Sequence, residues 1–128
     1  MDGGPISRLE LLDRALDRLE AALARPPDDI TLDACIQRFE FTFELAWKAI
    51  QRQARTEGLD CSSPRECLRI AFRLGLVEDD TRWMSMLEDR KRTSHTYDED
   101  TARTVYRALP GHTQLLRGVG RRLRDRSR

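Results

Sequence analysis

The strongest constraint on this chain is the spacing of its apolar residues, which recur at helical intervals from end to end and nowhere alternate as a strand would. Leu9, Leu12, Leu16, Leu19 and Leu23 lie three and four residues apart, so they share one face of a helix. Ser7 and Glu10 form the S-x-x-E start signal ahead of that stripe, and Pro26-Pro27 closes it. Leu32, Ile36, Phe39, Phe43, Trp47 and Ile50 repeat the pattern in a second helix, opened by Thr31 or Asp33 and stopped at Gly58. Phe39, Phe43 and Trp47 are expected in the core. Phe41 and Leu45 lie off that stripe, as on a helix that buries a second face.

Ser63-Pro64-Arg65-Glu66 is a compact start for a third helix: serine as cap, proline in the first turn, glutamate reaching back. It runs to Leu74 and ends at Gly75. A fourth helix, capped by Asp79 or Asp80, carries Trp83, Met84, Met86 and Leu87. A fifth, capped by Asp98, presents Ala102, Val105, Tyr106, Leu109, Leu116, Val119 and Leu123, and Pro110-Gly111 should kink or split it. Long helices joined by short loops predict an all-α fold, an antiparallel four-to-five-helix up-and-down bundle in a single domain over residues 1–128.

Composition bears on where such a bundle works and what it meets. The chain is 35% charged with a net charge of +1, so it is not a general polyanion binder. Six arginines nevertheless fall between Arg117 and Arg128 against one Asp125, giving a basic tail whose last stretch, 121–128, is expected to fray. There is no apolar run long enough for a membrane span and no secretory leader, which leads us to expect a cytoplasmic protein. Cys35, Cys61 and Cys67 make an odd count without C-x-x-C spacing. They read as two small core residues (Cys35, Cys67) and a loop thiol (Cys61), not as a disulfide or a metal site.

One stretch exceeds what a bundle needs. Glu88 to Asp98 packs cations, hydroxyls and an imidazole into the end of the fourth helix. Arg90 offers a planar fork suited to phosphate oxygens, and His95 can move protons near neutral pH. Lys91, Arg92 and Ser94 are further candidates for phosphate contact. On an ideal helix Arg90 and Ser94 share a face while His95 falls to one side, so a loosened last turn is needed to bring the imidazole round. Placed together, the two would frame one phosphate, histidine handling the proton and arginine the developing charge. The plainer reading is a helix C-terminus that attracts basic residues through its dipole.

The string from Arg90 to Tyr97 reads R-x-x-x-x-H-x-Y and resembles the motif of the HEPN superfamily, in particular its HepT-like branch. Arg38 to Lys48, Ser63 to Glu66 and Met86 to Arg90 are similar, in the same order, to blocks of the nucleotidyltransferase substrate-binding protein family. Together they cover about residues 8 to 120. The resemblance implies a helical bundle that pairs as a homodimer and a partner, a minimal (MNT-type) nucleotidyltransferase. It implies either of two roles. In one, the chain is the toxin of a toxin–antitoxin pair, a metal-independent endoribonuclease acting on RNA. Arg90 and His95 would then be catalytic, and the partner would silence the chain by transferring AMP to Tyr97. In the other, it is a non-catalytic substrate-binding subunit of the same partner. Neither role calls for a cofactor or a metal in this chain. The sequence departs from the family pattern at Lys91, where the family often carries asparagine or another small polar residue. Glu40 and Glu44 lie in a matching block and read as surface or helix-pairing carboxylates.

Overall fold

A computed structural model describes residues 7–78 and 80–126. Its elements are α1 (Arg8–Leu23), α2 (Asp29–Thr56), α3 (Pro64–Arg73), α4 (Asp80–Arg92), a single 3₁₀ turn (Thr93–His95) and α5 (Glu99–Arg126). The described residues contain no strand. The long helices α1, α2 and α5 pack on one another most extensively. The shorter α3 lies on α2 and α4, and α4 closes back on α5. The bundle expected from apolar spacing is therefore the fold observed.

Helix starts follow side-chain chemistry. Ser7 accepts from the Glu10 backbone N–H at 3.1 Å, and Ser63 accepts from that of Glu66 at 3.2 Å. Asp98 takes both the backbone N–H and the hydroxyl of Thr101, at 3.1 and 2.7 Å. Each supplies an acceptor to a first-turn donor that has no partner within its own helix. α2 opens earlier than expected. Its cap is Asp28, which accepts from Thr31 N–H at 2.7 Å, and not Thr31 or Asp33. The expected capping of α4 by Asp79 or Asp80 falls on side chains outside those described. Gly58 and Gly75, at φ +80° and +77°, end α2 and α3 in the left-handed conformation that glycine adopts without strain.

Leu12, Leu16, Leu19, Phe39, Phe43, Ile50, Leu109, Leu116 and Leu123 are fully enclosed. Trp47 is half-buried, packed against the edge of the core, and donates from Nε1 to Glu44 at 2.8 Å. Phe41, also half-buried, lies beneath the Arg18 guanidinium, 5.4 Å from its ring centroid.

Three expectations are corrected. α5 runs unbroken through Pro110-Gly111. Proline removes one backbone donor, but the helix is held on α1, α2 and α4 along its length, and that packing outweighs the local cost. The basic tail is not a loose end as far as Arg126. Arg117 bonds to Asp17 and Glu20, Arg122 pairs with Glu78 at 2.8 Å, Arg124 pairs with Asp13, and Arg126 grips Glu57 at 2.6 and 2.7 Å. Residues 127 and 128 lie outside the described residues. Cys61 and Cys67 form a disulfide, their Cα atoms 5.2 Å apart, because the turn into α3 folds the loop back over the first helical turn. Cys35 stays a free, buried thiol, as expected, and burial raises its pKa.

Hydrogen bonds from Arg126, and then from Gln53, lower the Glu57 carboxyl to about 2. A depressed carboxyl contributes stability above its ordinary value near 4.5 and loses it as pH falls toward 2. Glu57→Gln should therefore flatten the stability–pH curve between those limits while changing little in its slope near neutrality, as read by urea midpoints across the range.

Candidate functional site

The end of α4 is shaped by two competing hydroxyl and carboxylate contacts. The Thr93 hydroxyl donates back to the Arg90 carbonyl at 2.6 Å, and Asp98 opens a new helix five residues on. Between them the chain tightens into the 3₁₀ turn that carries His95. The end of α4 is thus tightened, not loosened as the sequence reading required to bring His95 round to Arg90, and His95 and Tyr97 are displayed on the surface.

Arg90 is half-buried. Its guanidinium donates to the Thr93 hydroxyl at 3.1 Å and approaches the Glu40 carboxylate of α2 at 3.8 Å. It borders a pocket of about 450 Å3 between the start of α3 and the end of α4, and Lys91 shares that lining. His95 is exposed, and its Nδ1 lies 3.2 Å from the Tyr97 hydroxyl, with the rings tilted at 52°. Which of the two donates depends on the imidazole tautomer. Tyr97 is 79% exposed, rare for a large aromatic side chain outside an interface. It sits at the edge of a groove whose α2 wall is Asp33, Gln37 and Glu40.

His95 and Tyr97 are therefore in contact, whereas Arg90 bonds to neither of them. Glu40 links the two halves, pairing with Arg90 on one side and lining the Tyr97 groove on the other. The remaining basic candidates divide. Lys91 is exposed and pairs with Glu88 at 3.2 Å, an exposed pair that a phosphate can displace. Arg92 is committed to Asp89 at 2.7 Å, and Ser94 is exposed.

The periodic reading overlooked the most buried polar contact next to this site. His112 of α5 and Asp89 of α4 are both buried, with Nε2 and Oδ2 2.7 Å apart. The imidazole also stacks on Phe39 at 5.5 Å between centroids. With Arg92 on the other carboxylate oxygen, Asp89 is satisfied from two sides. The signal was present. His112 stands three residues after Leu109 and four before Leu116, so it fills a place in the inner stripe of α5.

The family described as nucleotidyltransferase substrate binding protein like matches residues 7–124. A Haemophilus influenzae protein called probable ribonuclease HepT is 32% identical over 115 residues, covering 77% of this chain and 79% of that protein. A Thermus thermophilus protein of known crystal structure superposes with a TM-score of 0.83 at 40% identity, covering 88% of this chain and 98% of the other. A second structure, from Haemophilus influenzae, is described as revealing the fold of a substrate binding domain of a nucleotidyltransferase. It superposes with a TM-score of 0.81 at 28% identity, covering 91% and 98% of the two chains.

If the Asp89–His112 contact anchors α4, Asp89→Leu should lower stability by about 2–4 kcal/mol, since it strands the imidazole in the interior. Arg92→Ala should cost less than about 1 kcal/mol, because that guanidinium is half exposed. Urea denaturation separates the two, and equal small losses would remove the anchor.

Proposed function

This chain belongs to the nucleotidyltransferase substrate binding protein-like family, and from that premise we propose that it is a HEPN-type toxin. It acts as a metal-independent endoribonuclease in the cytoplasm, held silent by a minimal nucleotidyltransferase partner. The observation that carries this reading is the 3.2 Å contact between His95 Nδ1 and the Tyr97 hydroxyl. A group transferred to that oxygen necessarily arrives beside the imidazole. AMP on Tyr97 would take away the hydroxyl, add a negative charge and cover the ring that has to handle protons.

In the cleavage step the RNA's own 2′-oxygen attacks the neighbouring phosphorus. The bond to the 5′-oxygen breaks, leaving a 2′,3′-cyclic phosphate and a 5′-hydroxyl. His95 takes the 2′-hydroxyl proton or delivers one to the leaving oxygen, and Arg90 answers the charge that builds on the phosphoryl oxygens. One histidine cannot do both jobs in a single step. A twofold homodimer that pairs the exposed ends of α4 would supply a base and an acid from two copies. In the silencing step the Tyr97 oxygen attacks the α-phosphorus of ATP bound to the partner, releasing pyrophosphate and giving up its proton. The exposure of Tyr97 suits an acceptor that a second protein must reach.

The second reading, a non-catalytic subunit of the nucleotidyltransferase, draws on the description of the Haemophilus structure. The two readings differ in what His95 is for. If the chain cuts RNA, wild-type protein, sedimenting as a dimer, should cleave single-stranded RNA in the presence of a metal chelator. His95→Ala should then slow cleavage by at least about a hundredfold while partner binding survives. Wild-type protein that never cuts RNA would instead support the substrate-binding subunit. A separate assay addresses the acceptor. With ATP, Mg2+ and the partner, mass spectrometry should find one AMP on the wild type and none on Tyr97→Phe, and equal modification of both would remove Tyr97 from the scheme.

A further inference from the structure

The pocket beside Arg90 has more structure than a charge stabiliser needs. Its lining is partly apolar, with Pro64 at the start of α3 beside the edges of the otherwise buried Phe43 of α2 and Leu87 of α4. Three cations surround it: Arg65 from the first turn of α3, and Arg90 and Lys91 from the last turn of α4. The carboxylate in the lining, Glu44, is already met by Lys48 at 3.3 Å and by the Trp47 indole at 2.8 Å. Arg65 is exposed, and its polar contact is the Met84 thioether at 3.8 Å, with no carboxylate partner among the described residues. Arg90 and Lys91 are met by Glu40 and Glu88, so the excess positive charge at this pocket is that of Arg65.

A volume of about 450 Å3 falls in the range of small-molecule sites, which leaves room for one nucleotide. The loop that brings Arg65 to this wall is closed by the Cys61–Cys67 disulfide, and its Cys61 carbonyl accepts from Gln51 at 2.7 Å. In a reducing cytoplasm, where a disulfide does not persist, the Gln51 bond and the Ser63 cap of α3 still hold this wall before any ligand arrives, which limits the ordering cost of binding. We propose that this pocket holds the ribonucleotide adjacent to the scissile phosphodiester. Its base or ribose lies along the partly apolar lining beside Pro64, and its phosphate lies between Arg65 and Lys91. The assignment rests on the RNA-cleaving reading for the identity of the occupant. The chemistry it recognises, a base joined to a phosphate, is also that of a free nucleotide such as ATP.

Fluorescence anisotropy with a labelled ten-nucleotide single-stranded RNA tests this, in the full chain carrying His95→Ala so that the probe survives. Adding Arg65→Ala should weaken binding about tenfold, as loss of a charge-assisted phosphate contact would. It should also reduce the slope of log affinity against log salt by about 0.7, the value for one phosphate on a single strand. Arg69→Ala removes the same charge from an exposed position on α3 outside the pocket and should change both by much less. Equal effects of the two substitutions would overturn the assignment. So would Arg65-dependent binding of ATP without Arg65-dependent binding of RNA. If wild-type protein cuts RNA and Arg65→Ala leaves KM and RNA affinity unchanged, the pocket assignment fails alone. If it cuts none but His95→Ala protein binds RNA through Arg65, the nuclease reading fails and the pocket stands.

Discussion

The buried hydrogen bond between Asp89 and His112 ties helices that meet 23 residues apart in the chain, and the rest of the site takes its register from it. A carboxylate enclosed among apolar side chains is tolerated only when its oxygens are bonded, and here one meets the imidazole and the other the Arg92 guanidinium. Because each helical residue turns the side chain by a fixed angle, holding Asp89 inward sets where its successors point. Arg90 and Lys91 come to the pocket between α3 and α4. Arg92 swings back to the anchor, and Thr93 is buried where its hydroxyl can bond the Arg90 carbonyl and tighten the turn. Phe39 stacked on His112 extends the same restraint to α2, the helix that contributes Glu40 and Glu44 to the site.

Most of this fold was legible in the sequence because its signals are local. A serine, threonine or aspartate three residues ahead of a first-turn N–H, a glycine at a helix end and leucines at three- and four-residue steps each act within one turn. Ser7, Ser63, Asp98, Gly58 and Gly75 behave as that reading requires. What escaped depends on distant partners. Arginines near the C-terminus look solvated until Asp13, Glu57 and Glu78 are brought beside them by folding. Proline in α5 looks like a break until three neighbouring helices are seen to hold the segment straight on. Cys61 and Cys67 lack motif spacing, and they come within reach only once α3 forms after its Ser63 cap.

The candidate site shows the same division. Arg90, His95 and Tyr97 stood out in the sequence as candidates, through the density of polar groups there and the resemblance of the motif. Their grouping was less legible: the histidine and tyrosine meet each other, while the arginine turns toward Glu40 and the α3–α4 pocket. Arg65 carries no motif of its own and gains meaning only because α3 packs its first turn against α4. The resulting layout is a cationic, partly apolar pocket on one side and an exposed imidazole–phenol pair on the other, joined along α2 by a carboxylate.

That layout serves RNA cleavage if both halves meet the same phosphodiester, and this is the claim on which the account rests. NMR titration with an RNA whose 2′-hydroxyls are methylated, and so cannot be cut, reads it directly through the side-chain resonances of Arg90 and His95. Both resonances should shift together along one saturating curve. Saturation of the RNA with either resonance unmoved, or the two shifting with different affinities, would contradict it.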